Sequence, residues 1–201
     1  GLRHVHAYTR TRTWTRQEGR NLFGARVAVL GGGGIATSLL RLLAPFGCET
    51  TVVRRSEQPV PGSSRVLTHD HLHDALRGAD AVVLALPLLD ETRGMLGAEE
   101  LALLAPGAWV VNVARGEHVD TDALLEALDG PLGGAGLDVT DPEPLPDGHR
   151  LWAHPKVIIT PHTGNTREMA KPLLGNRISG NVRRYAAGEQ LEGLIDPDLG
   201  Y

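Results

Sequence analysis

The chain has 201 residues, of which 41% are hydrophobic and 22% are charged, and its formal net charge is −4. These values are typical of a globular protein of one domain or slightly more, and they give no reason to expect a nucleic-acid or membrane partner. Cys48 is the single cysteine, which excludes a disulfide within the chain and predicts a reducing compartment, the cytoplasm. The first residues lack the apolar segment of a secretory signal.

The charge is distributed unevenly along the chain. Residues 1–26 contain six arginines and one acid, Glu18. A basic leader of this kind can bind polyanions, but a solvated helix face or a subunit contact is the favoured interpretation. Residues 1–20 are predicted to form one leading helix. His4 and His6 are not expected to bind a metal, and no metal site is predicted.

Short apolar, β-branched runs alternate with helical patterns, which indicates βαβ units and a parallel sheet. The predicted strands are 26–30, 50–53, 81–85, 109–111, 135–139 and 157–160. The predicted helices are about 34–46, 68–77, 97–104, 120–129 and 166–188, with Asp120 or Thr121 as an N-cap. Near-continuous apolar strands predict a sheet that is covered on both faces. The proline-rich stretch 140–155 is too long for an ordinary connection and predicts a functional loop.

A glycine run follows the first predicted strand in "RVAVLGGGGIATSLL". Gly31, Gly33 and Ala36 match the G-x-G-x-x-G/A spacing, in which the first glycine makes a tight turn and the second lets the backbone approach a pyrophosphate. Gly34 and Ile35 then open a helix whose unpaired N–H groups attract phosphates. The position between strand and helix predicts dinucleotide binding; the alternative is a flexible glycine turn.

The end of the second strand bears on which dinucleotide is bound. An NAD-selective site has an acid about 20 residues beyond the first glycine. Here "TVVRRSEQP" places Arg54, Arg55 and Ser56 in that region. Guanidinium groups bind a 2′-phosphate, so NADP is the predicted preference, with NAD possible. The alternative is two exposed loop arginines and a site that still accepts NAD.

Three polar residues, Arg115, Glu143 and His162, each follow an apolar stretch. Ligands of doubly wound sheets bind outside the carboxyl ends of the strands, so these side chains are expected to converge on one crevice. Taken singly, each has a structural explanation, as a turn arginine, a solvated loop acid and a capping histidine. Their order and spacing favour a common site.

Four stretches together resemble a known family. They are "LPLLDETRGML" (86–96), "LAPGAWVVNVARGEHVD" (104–120), "LDVTDPEPLP" (137–146) and "TPHTGNT" (160–166). From about residue 20 to its end the chain is similar to the D-isomer-specific 2-hydroxyacid dehydrogenases. Two departures are the arginines in place of the acid of an NAD site, and Ala36 at the third glycine position.

The resemblance implies a role for each of the three polar residues. His162 would be the general acid and base, Glu143 would hydrogen-bond and orient its imidazole, and Arg115 would bind the carboxylate of a 2-oxo acid. Asp138 would lie near the nicotinamide carboxamide. The further cofactor positions it implies are Pro87, Thr92 and Val113, with Arg115 and His162 also facing the nucleotide.

The resemblance also implies how the chain is organised. Residues 1–188 would form the cofactor-binding domain and 189–201 a C-terminal tail, with the family's preceding substrate domain absent from this chain. A homodimer and a small 2-oxo or 2-hydroxy acid substrate of the glyoxylate or hydroxypyruvate type are expected. The alternatives are a nucleotide-sensing protein similar to the corepressors that share this fold, and a structural or regulatory domain that binds neither cofactor.

Overall fold

In a computed structural model that describes residues 19 and 21–195, seven parallel strands form one sheet. The strands are β1 (Arg26–Leu30), β2 (Glu49–Val53), β3 (Arg65–Leu67), β4 (Ala81–Leu84), β5 (Trp109–Asn112), β6 (Gly134–Leu137) and β7 (Val157–Ile159). Their order across the sheet is β3-β2-β1-β4-β5-β6-β7. The chain thus proceeds outward from β1 in one direction and then, from β4, in the other. This is the doubly wound α/β arrangement, and the predicted fold class is confirmed.

Helices connect most of the strands. They are α1 (Gly34–Leu43), α2 (Leu72–Leu76), α3 (Ala98–Ala102), α4 (Thr121–Asp129), α5 (Arg150–Ala153) and α6 (Arg167–Ala186). The predicted N-cap Asp120 is confirmed, because its Oδ1 accepts a hydrogen bond from the Ala123 N–H at 2.9 Å. Thr166 caps α6 in the same way.

The predicted strands are all present, and each end lies within two residues of the predicted one. One strand and one α-helix, both short, were not predicted. β3 has only three residues at the edge of the sheet, and α5 has four residues within the predicted loop 140–155, so neither is long enough to show a periodic pattern. The leading helix, His4, His6 and the last residues of the tail lie outside the described residues.

The core covers the two faces of the sheet unequally. On one face, buried leucines of α2, α3 and α4 pack along the sheet from β3 to β7. On the other, Ala36, Leu40 and Leu43 of α1 pack on β1, β2 and β4. Val66 of β3 and Val111 of β5 pack partly against this cluster, whereas Ile158 of β7 is 38% exposed. The described helices thus cover β1, β2 and β4 on this face, and coverage of the rest of the face stays a prediction.

The final helix, α6, contributes no buried residue to the described structure. Its exposed large apolar side chains are Met169, Leu173, Leu174, Ile178, Val182 and Tyr185. Apolar surface of this extent usually marks a contact surface. No helix among the described residues is long and apolar enough to cross a bilayer.

Candidate active site

The turn after β1 has a backbone that requires glycine. Gly31 has a φ of +113°, and a Cβ atom there would lie 2.2 Å from the Ala85 carbonyl oxygen. Its N–H donates a hydrogen bond to the Val53 carbonyl at 2.8 Å. Gly31 therefore lies between the ends of β2 and β4, the two strands that flank β1, and its contacts fix the turn.

Open space lies beside the start of α1. Cβ atoms at Gly33 and Gly34 would meet no atom within 4 Å, and Ile35 is 58% exposed. The first N–H groups of a helix have no partner within the helix and attract anions. Ala36 is fully buried, which allows α1 to pack closely on the sheet. The turn and the helix start therefore fit a dinucleotide pyrophosphate.

The two arginines after β2 are placed differently. Arg54 lies over the glycine turn, since a Cβ atom at Gly32 would be 2.9 Å from its Cδ. Arg55 extends to Glu91, with 2.8 Å between Nη2 and Oε1. This hydrogen bond with Arg55 lowers the pKa of the Glu91 carboxyl from its ordinary value. Ser56 is half-buried in the bend that follows.

The loop after β4 is shaped by a buried threonine. The Thr92 hydroxyl accepts a hydrogen bond from the Leu89 N–H at 2.8 Å and lies 3.1 Å from the Pro87 carbonyl oxygen. Thr92 is 1% exposed, whereas Pro87 is exposed. Val113, just beyond β5, is also exposed at the same edge of the sheet. Thr92 thus holds the turn, while Pro87 and Val113 are open to solvent.

Arg115 lies three residues beyond β5 and is exposed. Buried Asn112 holds its turn from both sides. The Asn112 Nδ2 donates to the Arg115 carbonyl at 2.8 Å, and its Oδ1 accepts from the Ala114 N–H at 3.0 Å. The Arg115 Nη1 donates to the Ala114 carbonyl at 2.7 Å. The guanidinium is therefore held at the carboxyl edge of the sheet, where it is open to solvent.

His162 lies three residues beyond β7, and its ring contacts Glu143. The distance from its Nδ1 to the Glu143 Oε1 is 2.7 Å. Because a carboxylate only accepts hydrogen bonds, Nδ1 carries the hydrogen, and Nε2 is the atom that can exchange a proton with a ligand. The other carboxylate oxygen of Glu143 lies 3.4 Å from the Thr140 amide nitrogen.

Asp138, directly after β6, organises the backbone around the histidine. Its carboxylate accepts hydrogen bonds from the Thr160 hydroxyl and from the N–H groups of Thr163 and Gly164. Burial acts to raise the pKa of this carboxyl, but these hydrogen bonds and the nearby His162 outweigh it and lower the pKa. His162 has a φ of +51°, a conformation uncommon for residues with a side chain, and the Asp138 contacts hold it.

The arrangement follows from the order of the strands. β5, β6 and β7 are neighbours, and Arg115, Glu143 and His162 follow them in turn along the carboxyl edge. The structure brings Glu143 and His162 into contact and places Arg115 on the same edge. An oriented imidazole and an exposed guanidinium can together protonate an oxygen and bind a carboxylate.

Three positioning residues were missed from the sequence. Buried His118 lies with its Nδ1 2.9 Å from the Thr92 carbonyl oxygen and its Nε2 3.3 Å from that of Leu86, and so joins the loop after β4 to the arginine turn. Asn112 could have been noticed as a polar residue that ends an apolar strand. Nothing in the sequence points to Glu91, because its partner Arg55 is distant along the chain.

The glycine turn and the acid–base pair on one sheet edge define a nucleotide-binding domain of the dehydrogenase class. Residues 1–164 match the family model described as D-isomer specific 2-hydroxyacid dehydrogenase, NAD binding domain. The chain belongs to the D-isomer-specific 2-hydroxyacid dehydrogenase family, as the sequence predicted.

Individual relatives extend this likeness. An uncharacterized protein of Corynebacterium melassecola is 43% identical over 98% of this chain and 68% of its own length. The glyoxylate/hydroxypyruvate reductase A of Serratia proteamaculans is 35% identical over 87% of this chain and 56% of its own length. A D-isomer-specific 2-hydroxyacid dehydrogenase of Xanthobacter autotrophicus, solved with NADPH and MES, is 36% identical, with a TM-score of 0.85 over all of this chain and 82% of the other. This chain thus spans little more than half of the Serratia reductase.

Proposed function

We propose that the chain is the cofactor half of a reductase that uses NADPH to reduce a small 2-oxo acid of the glyoxylate or hydroxypyruvate type. The observation that carries this proposal is the contact between His162 and Glu143 on the same sheet edge as the glycine turn. The name of the Serratia relative supports the substrate class. The NADPH bound to the Xanthobacter structure supports the cofactor.

The proposed mechanism assigns one task to each side chain. Arg115 binds the substrate carboxylate through its planar guanidinium. His162 donates a proton from Nε2 to the carbonyl oxygen during reduction, and Glu143 keeps the ring oriented through Nδ1. Asp138 holds the backbone that carries His162. A dinucleotide held at the glycine turn would supply the hydride, for which these residues would provide position and charge.

The proposed preference for NADP rests on Arg54 and Arg55. Both follow β2, the strand that approaches the adenosine ribose in this fold. Arg54 already lies against the glycine turn. A 2′-phosphate placed there would meet two guanidinium groups, one of which is paired with Glu91.

Cofactor binding and turnover test the proposal separately. Calorimetric titration of this chain with NADPH and NADH is expected to give tighter binding of NADPH; tighter binding of NADH would contradict the NADP preference.

Glyoxylate reduction is expected to be slow with this chain alone and rapid when a substrate domain precedes it, as the relatives' greater length suggests. Full activity of this chain alone would contradict the two-domain proposal.

Turnover of two variants tests the acid–base role of His162. In the longer, active protein, His162→Ala is expected to lower kcat by about 100-fold or more, and Glu143→Gln by less. Glu143→Gln is expected to bind NADPH as the wild type does, and any loss of NADPH affinity in His162→Ala is expected to be small beside its loss of kcat. Unchanged turnover in His162→Ala would remove the assignment.

Assembly and location are proposals of the same kind. We propose a homodimer, supported by the exposed apolar side chains of α6, and a cytoplasmic location, supported by the single cysteine. Analytical ultracentrifugation over a range of concentrations tests the homodimer, and a monomer at every concentration would contradict it.

The nucleotide-sensing alternative is not favoured, since the Serratia relative is named as a reductase.

A further inference from the structure

Arg55 and Glu91 form an ion pair that spans the proposed nucleotide cleft. Arg55 follows β2 and Glu91 lies in the loop after β4, and these two strands flank β1 on either side. The glycine turn extends from the end of β1. A link between the loops of the flanking strands therefore crosses the position of that turn.

The contact is made by side chains that remain accessible. The Arg55 Nη2 and the Glu91 Oε1 are 2.8 Å apart, and the two side chains are 35% and 53% exposed. An exposed pair of this kind contributes little to stability and can exchange partners. The lowered pKa of Glu91 agrees with a pair that persists at neutral pH.

We propose that Glu91 sets the selectivity of the site between NADP and NAD by competing for Arg55 with the 2′-phosphate. The inference rests on the proposed NADP preference. It adds that one residue, Glu91, weakens the binding of NADPH and so limits that preference. A 2′-phosphate must draw the Arg55 guanidinium away from Glu91 or share it. NADH lacks this phosphate and leaves the pair undisturbed, so the competition weakens the binding of one cofactor only.

The loop geometry gives Glu91 a fixed position for this role. It occupies the turn Asp90–Thr92, in which the Thr92 hydroxyl holds the backbone of Leu89 and lies beside that of Pro87. Arg55 lies in the bend after β2. The competing carboxylate is thus carried by a turn that buried contacts hold in place.

The test is a titration of the whole chain with NADPH and NADH by calorimetry. Glu91→Gln is expected to tighten NADPH binding by about two- to fivefold and to leave NADH binding unchanged, because the exposed pair contributes no more than this. The gain is expected to disappear when Arg55→Gln is also present, and to shrink at high salt. Asp90→Asn is the matched control, since it removes the same charge from the adjacent exposed residue.

Three results would overturn the inference: an unchanged NADPH affinity in Glu91→Gln, an equal gain for both cofactors, or an equal gain in Asp90→Asn. In each of these the wild-type preference for NADPH still stands, so the proposed function survives. If the wild-type chain binds NADH as tightly as NADPH, the proposed preference fails, and the inference fails with it. Thermal melting of each variant confirms that a change in affinity does not come from unfolding.

Discussion

The two ends of the ligand-binding edge are shaped by different kinds of contact. At the glycine turn the shape comes from the backbone, because Gly31 adopts a positive φ and packs on the Ala85 carbonyl. At the histidine end it comes from side chains, because Asp138 binds the segment around His162 through three hydrogen bonds. A backbone contact of this kind permits one residue type, whereas a network of hydrogen bonds can be weakened in steps. Substitutions at the two ends are therefore expected to lower the free energy of unfolding by different amounts.

The largest effect is expected at Gly31. Gly31→Ala places a Cβ atom against the Ala85 carbonyl and forces an alanine into a left-handed conformation. Since neither backbone segment can move without disturbing the sheet, we expect a loss of about 3 kcal/mol or more in the free energy of unfolding. Urea denaturation followed by circular dichroism measures this loss.

Gly33→Ala provides the matched control for the glycine turn. The space beside Gly33 is open, so the variant is expected to melt close to the wild type. The added methyl group enters the space proposed for the pyrophosphate, and NADPH binding is expected to weaken at least about tenfold. A Gly31→Ala variant as stable as Gly33→Ala would show that the turn is not held by backbone packing.

An intermediate effect is expected at Asp138. Asp138→Asn removes the charge and one acceptor oxygen from a network of three hydrogen bonds, and a loss of about 2 kcal/mol is expected. The N–H groups of Thr163 and Gly164 should then exchange faster with deuterium. Unchanged exchange at these two positions would argue against the network.

The pH dependence of stability gives an independent measure of Asp138. Its pKa is lowered in the folded protein, so its stabilising effect is present above the unfolded-state value and is lost as the pH falls through the folded-state value. The wild type is therefore expected to lose more stability than Asp138→Asn on acidification. Parallel acid profiles for the two proteins would contradict this sign.

A smaller effect is expected at Lys156, where side-chain contacts secure the end of α4. Its Nζ donates to the carbonyls of Leu128 at 2.6 Å, Leu132 at 2.8 Å and Gly130 at 3.2 Å. Lys156→Met is expected to lower the free energy of unfolding by about 1 kcal/mol, because water can replace part of these contacts. Lys171→Met, on exposed α6, is the control, and an equal loss there would contradict the assignment.

The sequence predicted those parts of the structure that depend on the backbone conformation of consecutive residues. Strand, glycine turn and helix follow one another locally, so the dinucleotide-binding fold was predicted correctly, and so was the family. The sequence also places Arg115, Glu143 and His162 on one edge, because parallel strands all end there.

Contacts between distant side chains could not be predicted in the same way. The Arg55–Glu91 pair joins residues 36 positions apart, and no local pattern encodes it. β3 was missed because three residues at a sheet edge carry too little periodicity. The sequence did not predict which segment packs on Ile158 of β7, because apolar strands alone do not say what covers them.

The parallel order of β5, β6 and β7 has a consequence for how the length of the protein can vary. Neighbouring strands lie about 4.8 Å apart regardless of the segment that joins them. The separation of the strand ends that carry Arg115 and His162 is thus independent of the number of residues in the connections between them. Insertions and deletions in those connections can accumulate on the surface and leave these two attachment points where they are.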